Sequence, residues 1–194
     1  MRQNIVFAIA LFLLAISNDA NAQSKGQLEV GVKIMAEGNS GYGGTAPFIG
    51  LQLVYPKGKH GGLETGIYYR PIKTDFVTYA SVNGTSQYVV STVAQRFIHL
   101  PILYRYQSKI VNFTGGPSFD FYLGWKDRSN KSQVTVTSFN RSSTVLIGIV
   151  ASLSKSIYLT EKITLEPELR FNPIISEGDP YAHTAFGFAV RYKL

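Results

Sequence analysis

The final stretch of the chain, Thr184 to Leu194, alternates without a break. Phe186, Phe188, Val190, Tyr192 and Leu194 are large and apolar, while Ala185, Gly187, Ala189, Arg191 and Lys193 between them are small or cationic. A strict period of two is the signature of a β-strand with one greasy face and one polar face. Such a strand must pair with a neighbour and point its apolar side at something dry. The dry phase is read here as lipid.

The start of the chain gives the compartment. Arg2 precedes an apolar run from Ile5 to Ile16, and Ala20-Asn21-Ala22 supplies a small-x-small cleavage pattern. The run is shorter than the ~20 residues of a membrane-spanning helix. Residues 1–22 are therefore expected to be a cleaved signal peptide and 23–194 a single outer-membrane domain. No later segment can cross a bilayer as a helix, which leaves the closed barrel as the one membrane-spanning solution. There are no cysteines, so disulfides, thiolate metal sites and a lipoprotein anchor are excluded. The net charge of +7 is dispersed along the chain with no nucleic-acid motif, which favours a membrane surface over nucleic acid as the anionic partner.

Alternation recurs in order through Leu28–Ile34, Ile49–Tyr55, Leu63–Arg70, Ile98–Tyr106, Val111–Trp125, Thr144–Leu153, Ile163–Phe171 and the closing strand. Connections alternate short and long, as in an eight-stranded, antiparallel, up-and-down transmembrane β-barrel with short periplasmic turns and longer outer loops. The long connections are Glu37–Thr45, a hairpin over Asp75–Val90 around Asn83-Gly84, Lys126–Ser143 and Pro173–His183. Aromatics cluster near strand ends (Tyr55, Tyr69, Tyr104, Tyr106, Trp125, Phe171, Tyr192), where interfacial girdles require them. Pro101, Pro117 and Pro167 fall inside strands and are expected to mark bulges.

Alternation alone does not say which face is outside. Gly31, Gly50, Gly66, Gly116, Gly124, Gly148 and Gly187 share the polar face. There they cover nothing if exposed, but inside a narrow barrel they make room for Tyr68, Tyr122, Arg70 and Arg170. The polar face is accordingly read as the lumen. Its charges, Glu29, Lys33, Glu64, Arg70, Arg105, Asp120, Glu166, Glu168, Arg170, Arg191 and Lys193, carry both signs and are expected to pair with one another.

The stretch Phe97-Ile-His-Leu-Pro-Ile-Leu-Tyr-Arg-Tyr106, a tight turn, and Gly115-Gly-Pro-Ser-Phe-Asp-Phe-Tyr-Leu-Gly124 resembles the PorT-like outer-membrane β-barrel family of Bacteroidetes. The matching motifs are Leu100-Pro101-Ile102-Leu103 and Gly116-Pro117. The resemblance implies a barrel without shared catalytic residues, some of whose relatives serve protein secretion and gliding.

One constellation carries possible chemistry. A two-residue turn at Ser108-Lys109 would set His99 opposite Ser118, with Asp120 one diagonal step away, the trio needed for nucleophilic hydrolysis. Lumen residues also form such groups merely to satisfy each other, and a lipid-modifying enzyme needs its site at the lipid, so a non-enzymatic role is preferred. His60 and His183 fall at opposite ends, giving no metal cluster, and no cofactor motif is present. The expected partners are outer-membrane lipid, lipopolysaccharide phosphates at the cationic Lys126–Arg141 loop, a protein captured by the Asp75–Val90 hairpin, and the barrel-assembly machinery at the closing strand. The function expected is a structural or surface-interaction barrel, with an accessory of a secretion or gliding machine as the alternative.

Overall fold

Period-two sequences of this kind close on themselves because every open strand edge would otherwise leave backbone groups unpaired in lipid. The computed structural model describes residues 27–39, 45–58, 60–82, 85–129, 143–176 and 181–194. The expected signal peptide and Asn83-Gly84 lie outside the described residues. So do parts of the expected outer loops.

The strands are β1 (Glu29–Asn39), β2 (Ala46–Lys57), β3 (Gly61–Val82), β4 (Thr85–Tyr106), β5 (Asn112–Asp127), β6 (Val145–Ser154), β7 (Ile157–Tyr158), β8 (Ile163–Ile174) and β9 (Tyr181–Lys193). They form one antiparallel sheet in the order β6-β5-β4-β3-β2-β1-β9-β8-β7, and a β6–β8 pairing closes the ring. The ring has eight staves, because β7 is a two-residue arm folded back on the start of β8 within the connection from β6 to β8. The closing strand completes the cylinder against β1, from Glu29↔Lys193 to Asn39↔His183.

The greasy face points outward. On β9, Phe186, Phe188, Val190 and Tyr192 are exposed while Ala185, Ala189 and Arg191 are buried. The glycines sit where large inward side chains pass over them. A Cβ on Gly50 would meet Tyr68 Cδ1 at 2.7 Å, and one on Gly66 would meet the Tyr68 hydroxyl at 2.6 Å.

Two expectations need correction. The prolines interrupt the ladder without shifting it: the β3–β4 register is the same on both sides of Pro101, and Pro167 pairs with Phe188 in regular order. At a fourth proline, Pro173, the missing donor is replaced locally. Opposite Ile149 the ladder meets Pro173, and Asn172 Nδ2 donates to the Ile149 carbonyl instead, at 3.0 Å. The bulge lies elsewhere, between the Phe97↔Tyr122 and Arg96↔Gly124 pairs, with Leu123 as the extra residue and Gly124 at φ +138°. Past it the faces of β5 exchange, so Gly124 and Lys126 turn outward and Trp125 shares the inward face of Gln95.

The β3–β4 hairpin outgrows the barrel. Pairing of β3 with β2 ends at Tyr69, and pairing of β4 with β5 ends at Val93, yet β3 and β4 pair with each other as far as Val82↔Thr85. At ~3.3 Å per residue the β3 edge runs on for about 40 Å, and its last stretch, from Asp75↔Thr92 to Val82↔Thr85, is one side of a two-stranded ribbon about 26 Å long.

Candidate functional site

The interior is built in layers. Nearest the termini lies a chain of alternating charges. Glu29 meets Arg191 Nε at 3.2 Å, and Arg191 Nη2 contacts Glu166. Both Glu166 oxygens are held by Arg105, at 2.8 and 2.5 Å. Arg105 reaches Glu64 at 2.9 Å, and Lys33 joins Glu64 (2.8 Å) to Glu168 (2.5 Å). Glu168 then holds Arg170 at 2.8 Å. Four carboxylates thus meet four cations in one alternating string, each residue less than a tenth exposed. Desolvation at this depth is tolerable because each charge has a partner of opposite sign and charge-assisted hydrogen bonds.

Above it, Phe48 stacks on Tyr68 with ring centroids 4.8 Å apart, and the Arg170 guanidinium lies 5.6 Å from the Phe48 centroid. A second, smaller ionic group follows. Arg70 donates to Glu37 (2.8 Å) and to Asp120 Oδ2 (2.7 Å), Asp120 Oδ1 pairs with His99 Nδ1 (2.8 Å), and His183 Nδ1 lies 3.4 Å from Glu37. The far end is closed by Ile72, Phe97, Leu146 and Ile174, with Tyr122 and Tyr181 packed against them.

Of the expected lumen charges, ten lie in these layers and Lys193 does not. It has the parity of Arg191, but at the barrel mouth it is half-exposed, its ammonium 5.0 Å from the Tyr158 ring centroid. Parity selects a face, and depth decides whether that face is lumen.

The candidate trio is rearranged. Five residues, Gln107–Val111, connect β4 to β5, because the Ser108 hydroxyl organises a wider turn by donating to Val111 O (2.6 Å) and accepting from Val111 N (3.1 Å). The register therefore moves by one pair-step, placing His99 opposite Asp120 and Ser118 opposite Pro101. His99 and Asp120 do bond, but Ser118 Oγ accepts from Asn172 Nδ2 at 3.1 Å. The serine–histidine link of a nucleophilic pair is not formed, and all three side chains are buried.

Glu37, Asn172 and His183 belong to the interior, although the sequence places Glu37 and His183 in loops and Asn172 just past a strand end. They extend the inward parity of β1, β8 and β9 by one to three residues beyond the expected ends. That continuation was the available signal. Among the described residues no group of three His, Cys, Asp or Glu side chains is arranged to hold a metal ion.

No protein-family model matches the chain, and no curated protein matches it. Solved structures do. The outer membrane protein OprG of Pseudomonas aeruginosa superposes with a TM-score of 0.51 at 11% identity, covering 87% of this chain and 97% of that one. Neisserial surface protein A aligns at 0.49 and 15% identity (88% and 98% covered), and Escherichia coli outer membrane protein W at 0.44 and 10% (89% and 100%). The latter two are looser and carry no weight. The OprG match, with the closed ring and its outward apolar belt, shows the fold: an eight-stranded, outer-membrane type of β-barrel.

Proposed function

We propose that this chain is a bacterial outer-membrane protein of the PorT-like kind that works by binding a protein partner, with the barrel as its anchor and the β3–β4 ribbon as its reader. The observation that carries this reading is the open backbone edge of β3 from Arg70 to Val82, which pairs with β4 on one side and, among the described residues, with no strand on the other. Unpaired backbone donors and acceptors at a fixed spacing add an extended segment of a partner by β-augmentation. The layered interior supports the same division of labour, because buried ionic, aromatic and apolar side chains occupy it in successive layers where a channel would need water.

The test is a pull-down from detergent-solubilised envelopes with the full chain and with residues 76–89 deleted, followed by hydrogen exchange on the captured complex. The partner should be lost on deletion, and alternate amides between Arg70 and Val82 should slow on binding. A partner retained by the shortened barrel would remove the ribbon from the reading. If the partner is a component of an export or gliding apparatus, the same interaction makes the chain an accessory of that machine.

A further inference from the structure

The bulge at Leu123 has a chemical result on the outer wall. Without it, Lys126 would share the inward face of Asp120; with it, Lys126 faces outward on one rung with Ala94 of β4 and Lys73 of β3. One step nearer the membrane, Arg96 faces outward between Pro71 and Gly124. Its Nη2 lies 3.3 Å from where a Cβ on Gly124 would be, so the guanidinium lies over β5 at Gly124, two residues from Lys126. All three cations are exposed. With strands ~4.8 Å apart and rungs ~6.7 Å apart, the backbones of Lys73 and Lys126 lie about 10 Å apart and that of Arg96 about 8 Å from each, close enough for side chains of this length to reach one headgroup. None of the three makes an ion pair among the described residues, and Asp75, the carboxylate two residues beyond Lys73, accepts the Thr92 hydroxyl at 2.6 Å.

The next rung down is apolar: Tyr69, Ile98 and Phe121 lie side by side on the same wall, with Leu123 beside them 55% exposed. Outward residues toward this end of the other strands, among them Ala36, Pro47, Val145, Pro173 and Thr184, carry no charge. A cationic cluster directly above a lipid-facing wall, on one sector of the cylinder, matches an anionic amphiphile standing against that sector.

We infer that Lys73, Arg96 and Lys126 form a binding site for the phosphorylated headgroup of an outer-leaflet lipid, whose acyl chains lie along the Tyr69–Ile98–Phe121 wall. Arg96 supplies the planar, two-pronged donor that phosphate oxygens accept, and the lysines supply point charges. A free phosphate ion would meet the cations but leave the wall unused.

The test is native mass spectrometry of the detergent-solubilised barrel titrated with phosphatidic acid, with phosphatidylcholine and with inorganic phosphate. Phosphatidic acid should be retained at least tenfold better than phosphatidylcholine, and millimolar inorganic phosphate should not displace it. At roughly fivefold per charge, the K73Q/R96Q/K126Q protein should bind about a hundredfold more weakly. Lys109→Gln, a charge removed at the opposite end, should change nothing. Retention unchanged in the triple variant, equal loss in Lys109→Gln, equal binding of phosphatidylcholine, or displacement by inorganic phosphate would each overturn the site. Should the triple variant fail to fold by heat-modifiable gel mobility, Arg96→Lys decides: charge is kept and the paired donors are lost, so weakening by a few-fold supports the site and wild-type retention overturns it.

Discussion

The two ends of the lumen fill the same cylinder with opposite chemistry. Near the termini, Glu29, Arg191, Glu166, Arg105, Glu64, Lys33, Glu168 and Arg170 fill it with paired charges. At the other end, Ile72, Phe97, Leu146 and Ile174 fill it with hydrocarbon. The apolar plug asks for volume, since dispersion has no direction and a side chain of similar size serves. The ionic chain asks for identity and register together, because its members come from β1, β3, β4, β8 and β9, and a one-residue slip of any of these strands would turn its charge to lipid. One end fixes which strands sit where; the other seals the cylinder beneath the exported ribbon.

The largest effect that separates the ends should come from Glu64→Ala. Glu64 contacts Lys33 at 2.8 Å, Arg105 at 2.9 Å and Arg170 at 3.6 Å, so its removal strands buried positive charge at several places. The expected loss is about 3–5 kcal/mol, read from urea unfolding of the barrel in lipid vesicles. Because the groups are buried, added salt should not restore it. A cost under 1 kcal/mol would mean that the chain of charges is decoration. Next in size is Ile174→Ala in the plug, which leaves a cavity and no stranded charge. It should cost about 2–4 kcal/mol, and Ile174→Leu should recover most of that, whereas Glu64→Asp should recover little. Equal rescue at both ends would erase the distinction between volume and identity.

The sequence shows the wall far better than the interior. Period-two alternation in β9 gives the inward and outward sets directly, because each apolar residue from Phe186 to Leu194 is large and each intervening one is small or charged, and in β5 it holds up to the bulge at Leu123. Glycines on the polar side are legible for the same reason, and Tyr68 does occupy the space over Gly50 and Gly66. What alternation omits is anything that changes phase. The Ser108 turn is wider than the two residues its sequence suggests, and that alone moves His99 from Ser118 to Asp120. The Leu123 bulge reverses the faces of Trp125 and Lys126 within an unbroken run of residues. Glu37 and His183 were hidden by a different cause. Loop-like composition beside them concealed strands that continue upward, and the inner charge cluster is assembled from those continuations.

Between the two ends, Asn172→Ala tests a boundary rather than a filling. Its amide donates to Ser118 Oγ at 3.1 Å and to the Ile149 carbonyl at 3.0 Å, replacing the donor that Pro173 lacks. Loss of the pair should cost about 1–2 kcal/mol, with faster hydrogen exchange confined to the β6–β8 seam. Exchange that rises uniformly around the ring would show that the seam is no weaker than the other pairings.

Lys193→Gln should have the smallest effect, and its smallness bears directly on what makes a charge structural here. Lys193 follows Arg191 on the same face of the same strand, and an account based on parity alone would give the two residues equal weight. Arg191 is 2% exposed and held by Glu29 and Glu166. Lys193, partly exposed at the mouth, has the Tyr158 ring 5.0 Å from its ammonium. Neutralising it should cost no more than about 0.5 kcal/mol, the range of surface substitutions, while Arg191→Gln leaves Glu29 and Glu166 short of a partner and should cost several times as much. The ratio of the two losses measures how steeply the environment changes over a single two-residue step. Were the losses equal, the ionic chain would have to extend to the rim, and the mouth would be as dry as the layer that holds Lys33.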